Sequence, residues 1–164
     1  MNSKKLLLTI LFVFACASSS FGQTIAAWQL NGAAGNEGTS NASSLDANLN
    51  TSTLIRNGGI SASALGNTFS SSNFTASGAK ADAVTNNRGY SFTINAVSGY
   101  KTSLATLDVR FRRSSTGPNA MAWFYSIDGT TFTQIGADIS YTLTTTGGDA
   151  QTQLNLAAIP SLQN

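Results

Sequence analysis

The strongest constraint lies in residues 120–129. Met121, Trp123, Tyr125 and Ile127 fall on one face of a run that ends in Asp128-Gly129. Large apolar side chains at every second position fit the two-residue repeat of a strand and cannot line one side of a helix. Asp-Gly accepts the backbone twist of a tight hairpin turn, so residues 131–135 are expected to return as the partner strand.

The same grammar recurs along the chain, and no stretch of twelve residues carries a 3.6-residue apolar period. Residues 25–30 read as a first strand closed by Asn31-Gly32, and residues 33–44 as a polar loop without a core. In residues 45–55, Leu49, Thr51, Thr53 and Ile55 share one face. Asn57-Gly58-Gly59 then turns the chain. Residues 60–74 form a Ser-rich connection that Leu65, Phe69 and Phe74 anchor. In residues 90–96, Tyr90, Phe92 and Ile94 alternate with Ser91 and Thr93, and Ser98-Gly99 turns again. Leu107, Val109 and Phe111 alternate with Asp108, Arg110 and Arg112, giving one buried and one wet face. Residues 140–144 and 153–156 are further strands, separated by Gly147-Gly148. No repeat of 20 to 50 residues is present. Short strands between turn residues predict an all-β, antiparallel sandwich or barrel.

The amino terminus follows a different grammar. Lys4 and Lys5 precede an apolar run from residue 6 to residue 17, too short to cross a ~30 Å hydrocarbon core. Ser20-Phe21-Gly22 then supplies the small-x-small pattern of a signal-peptidase site, so residues 1–22 read as a cleaved export signal. Val13-Phe14-Ala15-Cys16 offers a second route, lipoprotein processing at Cys16, with bulky Phe14 where that motif prefers a small residue. Residues 23–164 form the single domain. Cleavage leaves seven basic residues against seven acidic ones, so the basic excess of the whole chain belongs to the leader. A neutral domain gives no basis for binding nucleic acid or an anionic membrane.

Composition narrows the chemistry further. Ser, Thr, Asn and Gly make up 72 of the 164 residues, charged residues are 10%, histidine is absent and Cys16 is the single cysteine. Serine nucleophiles therefore lack a histidine base, and imidazole metal sites and intramolecular disulfides are excluded. Lys80 and Lys101, the candidates for a Ser-Lys dyad, sit in Ala79-Lys80-Ala81 and Tyr100-Lys101-Thr102, where nothing favours a dyad over solvated surface lysines. The acids Glu37, Asp46, Asp82, Asp108, Asp128, Asp138 and Asp149 are scattered singly, without the carboxylate pair that glycoside hydrolysis needs. Asp108 reads as a surface partner of Arg110, and Asp128 as a turn residue. Asp46-x-Asn48-x-Asn50 opens like a calcium loop, but Thr51 stands where glycine should follow and Asn57 where the closing acid should be. No catalytic residue, metal ligand set or cofactor is expected, with structural calcium left open.

Several stretches in order resemble a secreted bacterial β-sandwich module, jelly-roll-like, of large extracellular and surface proteins, some exported by type IX secretion. They are Ile25-Ala26-Ala27-Trp28-Gln29-Leu30-Asn31-Gly32, then Ala47-Asn48-Leu49 running to Arg56-Asn57-Gly58-Gly59, then Tyr90-Ser91-Phe92-Thr93. Arg112-Arg113-Ser114-Ser115-Thr116-Gly117-Pro118 and Tyr125-Ser126-Ile127-Asp128-Gly129 follow. The resemblance implies a jelly-roll-like sandwich with no general activity. It also implies two further strands beyond Leu162, so the domain is expected to lack its last strands.

The expected role is a non-catalytic, secreted or cell-surface module, glycan-binding or adhesive. The alternatives are a purely structural or assembly module, or an accessory domain of an exported hydrolase. Its partners are extracellular polysaccharide or neighbouring domains of the same polypeptide. The candidate ligand face combines Arg110, Arg112 and Phe124: if their two strands pair, Phe124 gives a sugar ring an apolar platform and the arginines give planar donors. Trp28 and Trp123 are expected in the core.

Overall fold

A computed structural model describes residues 22–74, 78–140 and 148–163. Residues 1–21, with most of the expected export signal and Cys16, lie outside them, as do residues 141–144 of the strand expected at 140–144. Among the described residues, helix is confined to α1 (Lys80–Thr85) and a 3-10 turn at Pro160–Leu162. The remaining regular structure is extended and every pairing is antiparallel, so the chain is all-β. No helix among the described residues is long and apolar enough to cross a membrane.

In the amino-terminal half, β1 (Ala26–Ala27) pairs with β3 (Ser44–Leu45). β2 (Thr39–Asn41), β4 (Thr53–Arg56) and β7 (Tyr90–Ser91) form a three-stranded sheet, and β5 (Ser61–Ala62) pairs with β6 (Ser71–Ser72). The first strand is therefore shorter than residues 25–30, and residues 33–44 are not a coreless loop: they hold β2, start β3 and bury Gly35. The β4–β7 ladder continues past its named ends, through the Leu49–Ala96 bridge and a 2.8 Å hydrogen bond from Asn50 N to Asn95 O.

Between Ile55–Ser91 and Leu49–Ala96 the register slips by one, with the extra residue on the 49–55 side. Such a bulge reverses which side chains face inward. Leu49 is buried, but beyond the slip Ser52 is 1% exposed, Arg56 is half-buried and Ile55 is exposed. The single face expected for Leu49, Thr51, Thr53 and Ile55 is corrected accordingly. Ser52 tolerates burial because its Oγ donates to Thr93 O at 2.7 Å.

The carboxy-terminal half is nested. β10 (Ala120–Tyr125) pairs with β11 (Thr133–Ser140). Outside it, β9 (Arg110–Phe111) pairs with β12 (Asp149–Ala150), and outside that β8 (Thr106–Leu107) pairs with β13 (Leu154–Asn155). The expected hairpin around Asp128-Gly129 is present. Its loop is longer than a tight turn: Ile127 lies past the end of β10 and is 75% exposed, not on the buried face. Asp128 holds that loop, accepting from Ser126 Oγ, Thr130 N and Thr131 N. The β10–β11 register shifts by two around Gly136, whose φ of 64° suits glycine.

Among the described residues, the buried apolar side chains are Leu49, Ile60, Phe69, Ile135 and Leu156. Aromatic pairs extend this core: Trp28 lies 4.8 Å from Phe92, and Tyr90 sits 5.7 Å from Phe69 and 5.8 Å from Phe74. Phe111 and Trp123 stand 6.1 Å apart. Phe69 and Phe74 thus anchor the Ser-rich connection, as their spacing suggests, and both tryptophans pack inward and are half-buried.

Candidate functional site

The candidate arginine-aromatic face does not assemble by strand pairing. β9 pairs with β12 and β10 with β11, so Phe124 lies opposite Gln134 instead of beside Arg110 and Arg112. Arg110 donates to Gly148 O at 2.8 Å, Arg112 is half-buried just past β9, and Phe124 is half-buried along with every residue from 121 to 126. The expected Asp108–Arg110 pair is not formed: Asp108 accepts from Gln153 Nε2 at 3.0 and 3.2 Å.

Several of the side chains weighed for catalysis or metal binding have structural work, whereas Lys101 lines a cleft. Lys80 bridges Asp138 and Gln134, each at 2.7 Å, across the irregular part of β11. Asp46 Oδ1 accepts from Asn48 N, and Asn50 Nδ2 donates to Ala96 O at 3.0 Å. Asn57 Oδ1 accepts from Ser91 Oγ. The calcium-like stretch is therefore a capped turn entering a strand. No group of three His, Cys, Asp or Glu side chains gathers among the described residues.

That capped turn borders a cleft of about 220 Å3 that the sequence pattern does not reveal. Ile25 and Leu49 give it an apolar base, Asp46 and Asn48 form one wall, and Tyr100, Lys101, Thr102 and Ser103 form the other. Backbone bonds fix the walls: Asp46 N donates to Ile25 O, Val97 N to Asn48 O, and Tyr100 N to Val97 O at 3.0 Å. The last bond closes a turn through Gly99, whose φ of 88° suits glycine and presents Tyr100 outward. Tyr100 is 56% exposed. The only sequence mark of this wall is an aromatic residue directly after Ser98-Gly99.

Chemically, an aromatic ring, a carboxylate, an amide and an ammonium line the cleft, beside Thr102 and Ser103, which have interactions of their own. An aromatic face with convergent donors and acceptors suits a ring that has one apolar side and several hydroxyls. A second cleft, of about 280 Å3, lies at the loop of the β10–β11 hairpin, between Tyr125, Ile127 and Ser161. There Ser161 Oγ donates to Tyr125 Oη at 3.1 Å.

Three carboxylates are held below their usual range. For Glu37 the cause is hydrogen bonds from its own backbone N–H and from Ala34 and Gly35. For Asp128 it is the N–H groups of Thr131 and Thr130 with Ser126 Oγ, and for Asp138 it is Lys80 and then Gln134. Burial pushes the Tyr90 hydroxyl upward. A depressed acid contributes stability that is present above its unfolded pKa, about 4, and is lost as pH falls through the folded value. A raised tyrosine contributes below about pH 10 and is lost as pH rises through its folded value. With no histidine, the melting temperature is expected to stay flat between about pH 5 and 8. It should fall below about pH 4 and again above about pH 10; a midpoint near pH 6.5 in a melting series would contradict this assignment.

The chain matches no family model, no curated protein and no solved structure.

Proposed function

We propose that this chain is a non-catalytic, exported module with a jelly-roll-like β-sandwich fold, and that it binds extracellular polysaccharide through the Tyr100 cleft. The reading places residues 1–22 in a cleaved export signal and the module outside the cell or on its surface. The observation that carries it is Tyr100 itself, more than half exposed beside a cleft whose rims are polar and whose base is apolar. A soluble domain gains nothing in folding from leaving that ring in water, whereas a sugar ring would cover it. The all-β architecture and the structural engagement of Lys80 and Glu37 fit a binding role better than catalysis.

Retention on insoluble polymers tests the reading. The protein is expected to be held by at least one of cellulose, xylan, mannan, chitin and alginate. Tyr100→Ala should weaken that binding at least about tenfold, because truncating an aromatic anchor costs on the order of 1.5–2 kcal/mol. Its circular dichroism and melting should stay unchanged. Absence of retention on every polymer would overturn the reading in favour of a structural module that contacts only neighbouring domains.

A further inference from the structure

The two clefts are neighbours along the fold. Thr102 and Ser103 line the Tyr100 cleft, and the next residue, Leu104, donates its N–H to Leu162 O at 3.1 Å. Ser161, directly before Leu162, lines the hairpin cleft. Gln163 clamps the same junction by donating from Nε2 to Leu104 O at 2.9 Å and to Leu156 O at 3.0 Å. Ser103 and Ser161 each directly precede a residue of this hydrogen-bonded contact between a loop and the 3-10 turn, which keeps them within about 14 Å of each other. Two hydrogen bonds cross that junction, one from Leu104 N and one to Leu104 O, and hold the neighbouring edges of the clefts together.

The far cleft has an apolar residue of its own in its lining: Ile127, which is 75% exposed. Phe132, 58% exposed, lies on the same loop outside that lining. Asp128 fixes the loop that carries them through three hydrogen bonds. Neither side chain packs into the core, so their placement contributes little to folding.

We infer that the two clefts act as successive subsites on one linear polysaccharide, so that the protein recognises internal segments of a chain and not its ends. The inference rests on the glycan reading of the Tyr100 cleft and specifies its ligand. Tyr100 and its wall hold one part of the chain, and Ile127 with the hydroxyl of Ser161 hold the part that runs past the Leu104–Leu162 contact. A ligand confined to a chain end would occupy one cleft and derive nothing from the other.

Chain-length dependence decides the matter. Calorimetric titration would use the disaccharide, tetrasaccharide and hexasaccharide of cello-, xylo-, manno- and chito-oligosaccharide series. Affinity is expected to rise at least about tenfold from the disaccharide to the hexasaccharide, as a second contact becomes intramolecular. Tyr100→Ala should weaken every length. Ile127→Ser, at an exposed loop position, should weaken the hexasaccharide about three- to tenfold and leave the disaccharide unchanged. Equal affinity for all lengths, or an Ile127→Ser protein indistinguishable on the hexasaccharide, would overturn the inference while leaving the Tyr100 reading intact. Failure of every oligosaccharide and every polymer to bind would overturn both.

Discussion

Arg56→Met is expected to lower the melting temperature by about 10 °C. The Arg56 guanidinium sits 3.6 Å from the centroid of the Phe69 ring. Its Nε donates to Ser70 O at 3.0 Å and Ser71 Oγ at 2.8 Å, Nη2 to Gly35 O at 2.6 Å, and Nη1 to Glu37 O. One planar group thus ties β4 to β6 and to the loop ahead of β2. Methionine keeps the apolar stem over Phe69 but removes all of these bonds, leaving Ser70 O with Ser63 N and Gly35 O with Ser70 N as their remaining donors. Hydrogen bonds from charged donors contribute on the order of 1.5–3 kcal/mol each, and their losses overlap, so a net cost of about 3 kcal/mol is reasonable. For a domain of this size that corresponds to about 6–12 °C. Arg56→Lys should recover little, because an ammonium cannot match the fork that reaches Gly35, Glu37 and Ser70 together. Thermal unfolding by circular dichroism reads both variants; a shift under 3 °C for Arg56→Met would show that the network contributes little.

Gly35→Ala is expected to destabilise the fold by at least about 3 kcal/mol, and Gly136→Ala by only about 1 kcal/mol. Both glycines have positive φ, 96° and 64°, so both substitutions strain the backbone. They differ in space. A Cβ on Gly35 would lie 2.6 Å from Leu65 N and 2.8 Å from Leu65 C, distances that real Cβ atoms do not reach. The atoms in the way are backbone, and Leu65 N is held by Ala34 O at 3.0 Å, so neither side can yield cheaply. At Gly136 nothing lies within 4 Å. Chemical denaturation of the two variants side by side separates strain from collision: equal losses would mean that the Leu65 contact relaxes.

These two positions also show where sequence reasoning stops. The alternation at Leu107, Val109 and Phe111, the Asp128-Gly129 hairpin and the anchoring by Phe69 and Phe74 are legible because each is local, set by a period of two or a turn dipeptide. Arg56 is not. A charged residue at the end of a strand reads as solvated, and its inward orientation depends on a bulge that only the pairing partner reveals. Gly35 looks like one more flexible residue in a polar run, and its burial follows from Leu65, far along the chain. Ser52 is hidden for the same reason as Arg56. The Tyr100 cleft draws on residues 25, 46–49 and 100–103, which no local pattern connects. The arginine-aromatic face was conditional on β9 pairing with β10, and the partners those strands take, β12 and β11, are likewise set by residues distant in sequence.

The nesting of β10–β11 within β9–β12 within β8–β13 has a kinetic consequence. Each pair, once closed, leaves a shorter effective loop for the next, so the entropic cost of ring closure is met in small instalments rather than at once. The half should therefore zip outward from the Asp128 loop, with hairpin formation on the microsecond scale as its first step. Leu156, buried at the outer end, would be the last core residue to dock. In the amino-terminal sheet the pair between β4 and β7, the β5–β6 ribbon, ends at Ser72, so β4 must still find β7 across residues 73–89, which include α1. Its closure is the natural slow step, and substitutions in β4 should slow folding more than equally damaging ones in β8.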